Sequence, residues 1–154
     1  MEERFEMFTV LIAKSGRLVK RIKTEEMAEF NLKLPHVSCI YYLYKRGTLT
    51  SKELCDICDE DKASISRALE HLEENGYIRC LDEAKKRYKS PLELTEKGKI
   101  VGEKVEEKID NILVEASKGL TPENRKIFYE SFSLICNNLQ NIYNNYEKGE
   151  KNEY

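Results

Sequence analysis

The 154-residue sequence predicts a mainly α fold with one small β-hairpin, and three observations lead there. Glycine and proline are scarce, at 7 and 3 residues, which disfavours an all-β chain with its many tight turns. Apolar residues recur at three- and four-residue steps over long stretches at both ends of the chain, the period of a helical face. Between those stretches, Tyr77 to Leu81 and Pro91 to Leu94 read as two antiparallel strands around the charged loop Asp82 to Ser90, too long for a tight hairpin.

The helices follow in order. Phe5, Phe8, Ile12, Val19 and Ile22 form the apolar stripe of a first helix, a stripe that Ser15 and Gly16 interrupt. A break at Asn31 to Pro35 leads into a second helix, with Pro35 in its first turn, Val37, Ile40, Tyr41 and Tyr44 on one side, and Gly47 at its end. Thr50 and Glu53 have capping-box spacing and start a short helix carrying Leu54, Ile57 and Cys58 inward. Asp59, Glu60 and Asp61 then make a turn and cap the next helix, which ends at Asn75-Gly76, where the glycine suits a left-handed C-cap. After the hairpin, Thr95 caps a long helix bearing Val101, Val105, Ile109, Ile112 and Ala116 on one side. Gly119 closes it, and Thr121-Pro122 opens a final helix with Phe128, Phe132, Ile135, Leu139, Ile142 and Tyr146 in line.

No apolar run approaches the roughly 18 residues of a membrane span. The N-terminus lacks the basic segment and unbroken apolar stretch of an export signal, so a cytoplasmic location is expected. Five cysteines, an odd number, then read as reduced thiols rather than a disulfide framework. No nucleophile–base pair, paired-acid motif or phosphate-binding glycine loop is present, so neither an enzyme nor a cofactor is expected.

Three helices, the last two short and joined by a tight turn, then a hairpin with a charged tip, is the order of a winged helix-turn-helix. In the helix from Asp61 to Asn75, a stripe of Ile65, Ala68, Leu69 and Leu72 faces inward. Ala63 on the outward face lets the backbone approach base edges; Ser64 and Ser66 can donate to phosphates or bases; Arg67 can pair with guanine or clamp a phosphate. Lys62 starts the same face, and His71 lies further along it, touching DNA or solvated. Glu70, Glu73 and Glu74 fall at the far end. A net charge of -2 conceals a local excess at the hairpin tip, Lys85, Lys86, Arg87 and Lys89 around Tyr88, suited to the minor groove. Taken singly, the helix reads equally as amphipathic with a solvated face, and the tip as a solvated loop; in this order and spacing they support each other.

The run S-K-E-L-C-D-I-C-D-E-D-K-A-S-I-S-R-A-L-E-H-L-E-E-N-G-Y-I, the basic tip, and L-T-E-K-G at Leu94 to Gly98 resemble the MarR family of transcriptional regulators. The resemblance implies an obligate homodimer on a pseudo-palindromic double-stranded DNA operator, released by a small ligand or by oxidation. It implies DNA contacts from Ser51, Ser64, Ser66, Arg67 and Arg87. Many members carry an acid followed by two basic residues in the wing; here Lys86 stands where the acid is expected, and Arg87 aligns with either basic position.

Apart from the resemblance, the long apolar stripes at both ends are hard to bury in a monomer and call for a two-fold partner. The expected organisation is thus an N-terminal dimerisation helix at 1–33, a winged helix-turn-helix at 34–98, C-terminal dimerisation helices at 99–147 and a polar tail at 148–154, intertwined as one unit. A small-ligand cavity is expected near Arg17, His36 and Tyr41. Cys39, beside Tyr41, Tyr42 and Tyr44, is the candidate redox thiol. Cys55 and Cys58 form a lone C-x-x-C without the further ligands that zinc needs, so no metal is expected. The competing readings are a winged-helix module that docks protein instead of DNA, and a thiol-based redox-sensing regulator.

Overall fold

The computed structural model describes residues 2–58, 60–82 and 90–147. The chain divides into two compact units, Met1–Asp110 and Asn111–Tyr154. Along it run α1 (Glu2–Glu26), a single 3-10 turn (Ala28–Phe30), α2 (Leu34–Arg46), β1 (Leu49–Thr50), α3 (Ser51–Cys58), α4 (Lys62–Glu74), β2 (Ile78–Cys80), β3 (Pro91–Leu94), α5 (Glu96–Ala116) and α6 (Pro122–Glu147).

The mainly helical class is as the sequence predicts, with a local difference in the sheet. The sheet has three antiparallel strands in the order β1-β3-β2, since Leu49 pairs with Leu92 and Thr50 with Pro91 beside the hairpin. A two-residue strand has no alternation to read, so only its partner reveals it. Helix α1 runs without interruption through Ser15 and Gly16. A glycine inside a helix costs about 1 kcal/mol against alanine, too little to stop 25 residues of helix. The chain leaves α1 at Glu26 instead, buries Met27, and turns through Asn31 in the left-handed region at φ 51.

The caps explain where the short helices start. The backbone N–H and hydroxyl of Thr50 both donate to Glu53 Oε2, at 2.7 Å each, and the Glu53 N–H donates back to Thr50 Oγ1 at 3.3 Å. These helices enclose the core of the first unit: Cys39, Ile40 and Leu43 from α2, Leu54 from α3, Ile65, Leu69 and Leu72 from α4, with Ile78, Leu92 and Leu94 from the sheet. A smaller cluster of Met27, Val37 and Val105 seats α5 on α2. Around it Lys108 bridges Glu26 and Glu29, at 3.2 and 2.8 Å, and Lys45 pairs with Glu106.

The L-T-E-K-G stretch joins α4, the hairpin and α5. Leu94 is in the core. Thr95 donates its N–H to the Tyr77 carbonyl at 3.0 Å and its hydroxyl to the Gly76 carbonyl at 2.7 Å, while Oγ1 accepts the Gly98 N–H at 3.2 Å. Lys97 donates to the Asn75 carbonyl at 2.7 Å, its ammonium 4.1 Å from the Tyr77 ring centroid. Gly98 packs so closely that a Cβ there would sit 2.0 Å from the Tyr77 oxygen, and one on Gly102 would sit 2.7 Å from the Tyr44 ring.

In the second unit Thr121 Oγ1 accepts the Asn124 N–H at 3.2 Å and opens α6. Phe128, Phe132, Ile135 and Leu139 are exposed along that helix, as are Ile12, Val19 and Ile22 along α1. No helix among the described residues is long and apolar enough to cross a membrane.

The close approach at Gly98 gives a direct test. Gly98→Ala must push apart two stretches of backbone, because the Tyr77 oxygen is already held by Thr95. Urea unfolding of the variant should show a destabilisation of about 1–3 kcal/mol, the usual range for overpacking; an unchanged midpoint contradicts the tight approach.

Candidate nucleic-acid interface

Helix α4 is defined at both ends. Asp61 Oδ1 accepts the Ser64 N–H at 2.8 Å, an N-cap that fixes where the first turn begins. At the other end the Gly76 N–H donates to the Glu73 carbonyl at 3.0 Å and the Tyr77 N–H to the Leu72 carbonyl at 2.8 Å, with Gly76 at φ 71: a Schellman closure. Ile65, Ala68, Leu69 and Leu72 are buried, the stripe expected from the sequence. That orientation leaves Lys62, Ala63, Ser66 and Arg67 exposed over the first two turns and Ser64 half-buried, with Glu70 and Glu74 exposed further along.

Ser51, at the start of α3, is buried beside a cleft of about 170 Å³ that Lys62, Ser66 and Leu69 also line. The structure thus brings Ser51 together with two residues of the α4 face, while its own side chain offers little surface. The root of the hairpin loop is fixed: Leu81 N–H donates to the Pro91 carbonyl at 2.9 Å, and the fully buried Ser90 donates its hydroxyl to the Asp82 carbonyl at 2.8 Å. Arg79 and Glu93 pair across the strands. The tip residues Lys85, Lys86, Arg87, Tyr88 and Lys89 lie outside the described residues, as do Asp59 and the polar tail at 148–154.

His71 does not extend outward from the α4 face. Its ring stacks on that of His36 from α2, centroids 4.3 Å apart and planes 7° from parallel. The expected ligand cavity at Arg17, His36 and Tyr41 is therefore not one place. His36 and Tyr41 are five residues apart on α2, about 140° around a helix of 3.6 residues per turn, and face different sides. His36 lines an open cavity of about 490 Å³ with Lys33, Ser64, Arg67 and His71. Tyr41 lines another, about 150 Å³, with Lys23, Met27, Tyr42, Cys58 and Ile109. Arg17 is exposed on α1 and lines neither.

Cys39 is fully buried, and its neighbour Cys58, with burial second, pushes its thiol far above the ordinary cysteine range. Burial raises Cys55. Cys58 is half-buried at the Tyr41 cavity, whereas Cys39 is enclosed in the core, so access favours Cys58. Among the described residues no group of three or more His, Cys, Asp or Glu is placed to hold a metal ion.

The sequence alone does not reveal the His36–His71 stack, the Cys39–Cys58 pair or the role of Lys97 and Gly98. Its one signal for them is L-T-E-K-G itself, a threonine, lysine and glycine at one strand–helix junction.

A three-helix core whose third helix presents a small, hydroxylated and basic face beside a hairpin defines a winged helix-turn-helix protein. Residues 30–87 match the profile of the MarR family. It is 30% identical over 67 residues to the HTH-type transcriptional regulator YwoH of Bacillus subtilis, a match taking in 44% of this chain and 49%, about half, of that relative's length. YfiV from the same organism, also named an HTH-type transcriptional regulator, is 26% identical over 119 residues, 75% of this chain and 72% of that one. A MarR family transcriptional regulator from Listeria monocytogenes, solved in complex with a 26mer DNA, shares the fold with a TM-score of 0.80 at 23% identity, over 93% of this chain and 95% of that one. These relatives are regulators, not enzymes.

Alkylation of the native protein near neutral pH should label Cys58 and exposed Cys136 while sparing Cys39 until denaturant is added. Peptide mass spectrometry reads this directly, and Cys39 labelling as fast as Cys136 would contradict the assignment.

Proposed function

We propose that the chain is a cytoplasmic repressor that binds double-stranded DNA as a homodimer, with α4 in the major groove of each half-site. The observation that carries this reading is the N-terminal half of α4, where Lys62, Ala63, Ser66 and Arg67 are exposed over a helix start whose N–H groups favour anions. The acids Glu70 and Glu74 stand beyond the turns that would enter the groove. The DNA complex of the Listeria regulator, which has the same fold, supports the partner. In this reading the basic tip, Lys85, Lys86, Arg87 and Lys89, follows the adjacent minor groove.

The homodimer rests on the exposed apolar stripes of α1 and α6, which a second copy would cover. Two recognition helices would then meet half-sites roughly 34 Å apart on a pseudo-palindromic operator. A small effector has a place in the cavity lined by Lys23, Tyr41 and Tyr42. Static light scattering should give a dimer mass at micromolar concentration; a monomer mass removes the two-fold part of the reading.

For DNA itself, duplexes selected from a random-sequence pool provide the probe. Arg67→Ala should weaken the selected site by about 1–3 kcal/mol if Arg67 reads a base. Lys86→Ala with Arg87→Ala should weaken all sequences and flatten the salt dependence by about one unit for each phosphate no longer neutralised. Full affinity and an unchanged salt slope in both variants would contradict the assigned surface.

A further inference from the structure

We propose that His36 and His71 form a proton-released latch, positioning residues that hold α4 against the start of α2 while the His36 ring is neutral. The rings lie parallel at 4.3 Å, and His36 is 8% exposed. His36 Nδ1 accepts the backbone N–H of Lys33 at 3.2 Å, so that nitrogen carries a lone pair and the neutral ring keeps its proton on Nε2. On the other ring, Nδ1 of His71 lies 3.5 Å from the amide nitrogen of Asn75, which also donates to the His71 carbonyl at 2.8 Å. A neutral His36 ring suits this arrangement.

A second proton does not. On His36 it would have to arrive at Nδ1, where the Lys33 N–H already points, and it would set a cation flat against the neighbouring ring. The surrounding charges offer no compensation. Lys33, from the stretch before α2, and Arg67, from α4, line the same cavity; Asn31, Pro35, Ser64 and Ala68 complete the lining without a carboxylate. Glu70 and Glu74, the acids nearest His71 on α4, are exposed and outside that lining. Burial first, then His71 and Lys33, hold His36 below the ordinary histidine value.

The sign follows. A base whose folded value is depressed binds its proton more readily in the unfolded chain, so the stack stabilises fully above about pH 6.5, the unfolded value, and that stabilisation disappears as pH falls through the folded one. Arg67 is one turn before His71 and shares the cavity, so opening the stack alters the support beneath a residue assigned to DNA.

The latch is tested on the full chain without DNA. In NMR titrations the His36 ring should take its proton below pH 6.5. Over the same pH range, amide protection at Ile65, Ser66 and Arg67, corrected for intrinsic rates, should drop roughly fivefold or more. His36→Phe, which keeps a stacking face and takes no proton, should abolish that drop; His71→Phe serves if the first variant does not fold. A His36 value at or above the ordinary one, or an α4 response unchanged in the phenylalanine variants, overturns the latch. A final arm rests on the DNA reading: binding of selected duplex should weaken through the same pH range in wild type and not in His36→Phe. If both proteins bind duplex with the same pH profile, the latch fails and the DNA reading stands. If protection responds but neither protein binds duplex at low salt, the DNA reading fails and the latch stands.

Discussion

The carbonyl oxygen of Tyr77 is the point on which the first unit turns. It accepts the Thr95 N–H at 3.0 Å, lies 3.2 Å from the Thr95 hydroxyl, and has the bare Cα of Gly98 pressed against it. The same residue closes α4 by donating its own N–H to Leu72. One peptide thus fixes the end of α4, the start of the hairpin and the start of α5 relative to one another. Lys97 adds charge where it is favourable: its ammonium meets the Asn75 carbonyl at the end of α4, where the helix dipole is negative. With Asp61 at the front and this junction behind, the rotation of α4 about its axis is specified, and with it which residues face outward.

The proposed DNA reading asks a net acidic protein to present a basic surface. The net charge of -2 is an average over segments of opposite sign. Cations gather at Lys62 and Arg67 and in the run from Lys85 to Lys89, whereas α4 keeps its acids at residues 70, 73 and 74. Fields from exposed charges decay over about 8–10 Å at ordinary salt, so a surface segment acts through its own composition rather than the total.

Much of this was legible in the sequence because it is local. The Thr50–Glu53 box, the Asp61 cap, the Asn75-Gly76 stop and the strand beginning at Pro91 are all written within four residues of where they act. The features that were not legible depend on distance. β1 exists only through its pairing with β3, some forty residues on. His36 meets His71 across α2 and α4, and Cys39 meets Cys58 across α2 and α3; no spacing rule within one helix reports such pairs. The cavity residues illustrate the same limit. His36 and Tyr41 are close in sequence, yet the turn of the helix sends them to different cavities.

The two supports of α4 differ in kind. Those at its C-terminal end are a threonine hydroxyl, a lysine, backbone carbonyls and a close-packed glycine. The support toward α2 includes the chain's only two histidines. If the proposed latch opens, the motion left to a helix held firmly behind is a tilt about its C-cap. From Asn75 to Lys62 is about 20 Å at 1.5 Å per residue, so a tilt of ten degrees moves the first turn by roughly 3 Å. Hydrogen bonds to base edges tolerate only a few tenths of an ångström around 2.9 Å. In the proposed DNA-bound state, small residues at 63, 64 and 66 would bring the backbone close to base edges, and closeness is what would make such a tilt costly. The features that would fit α4 for a groove would therefore also make it sensitive to a change at His71, two turns away from them.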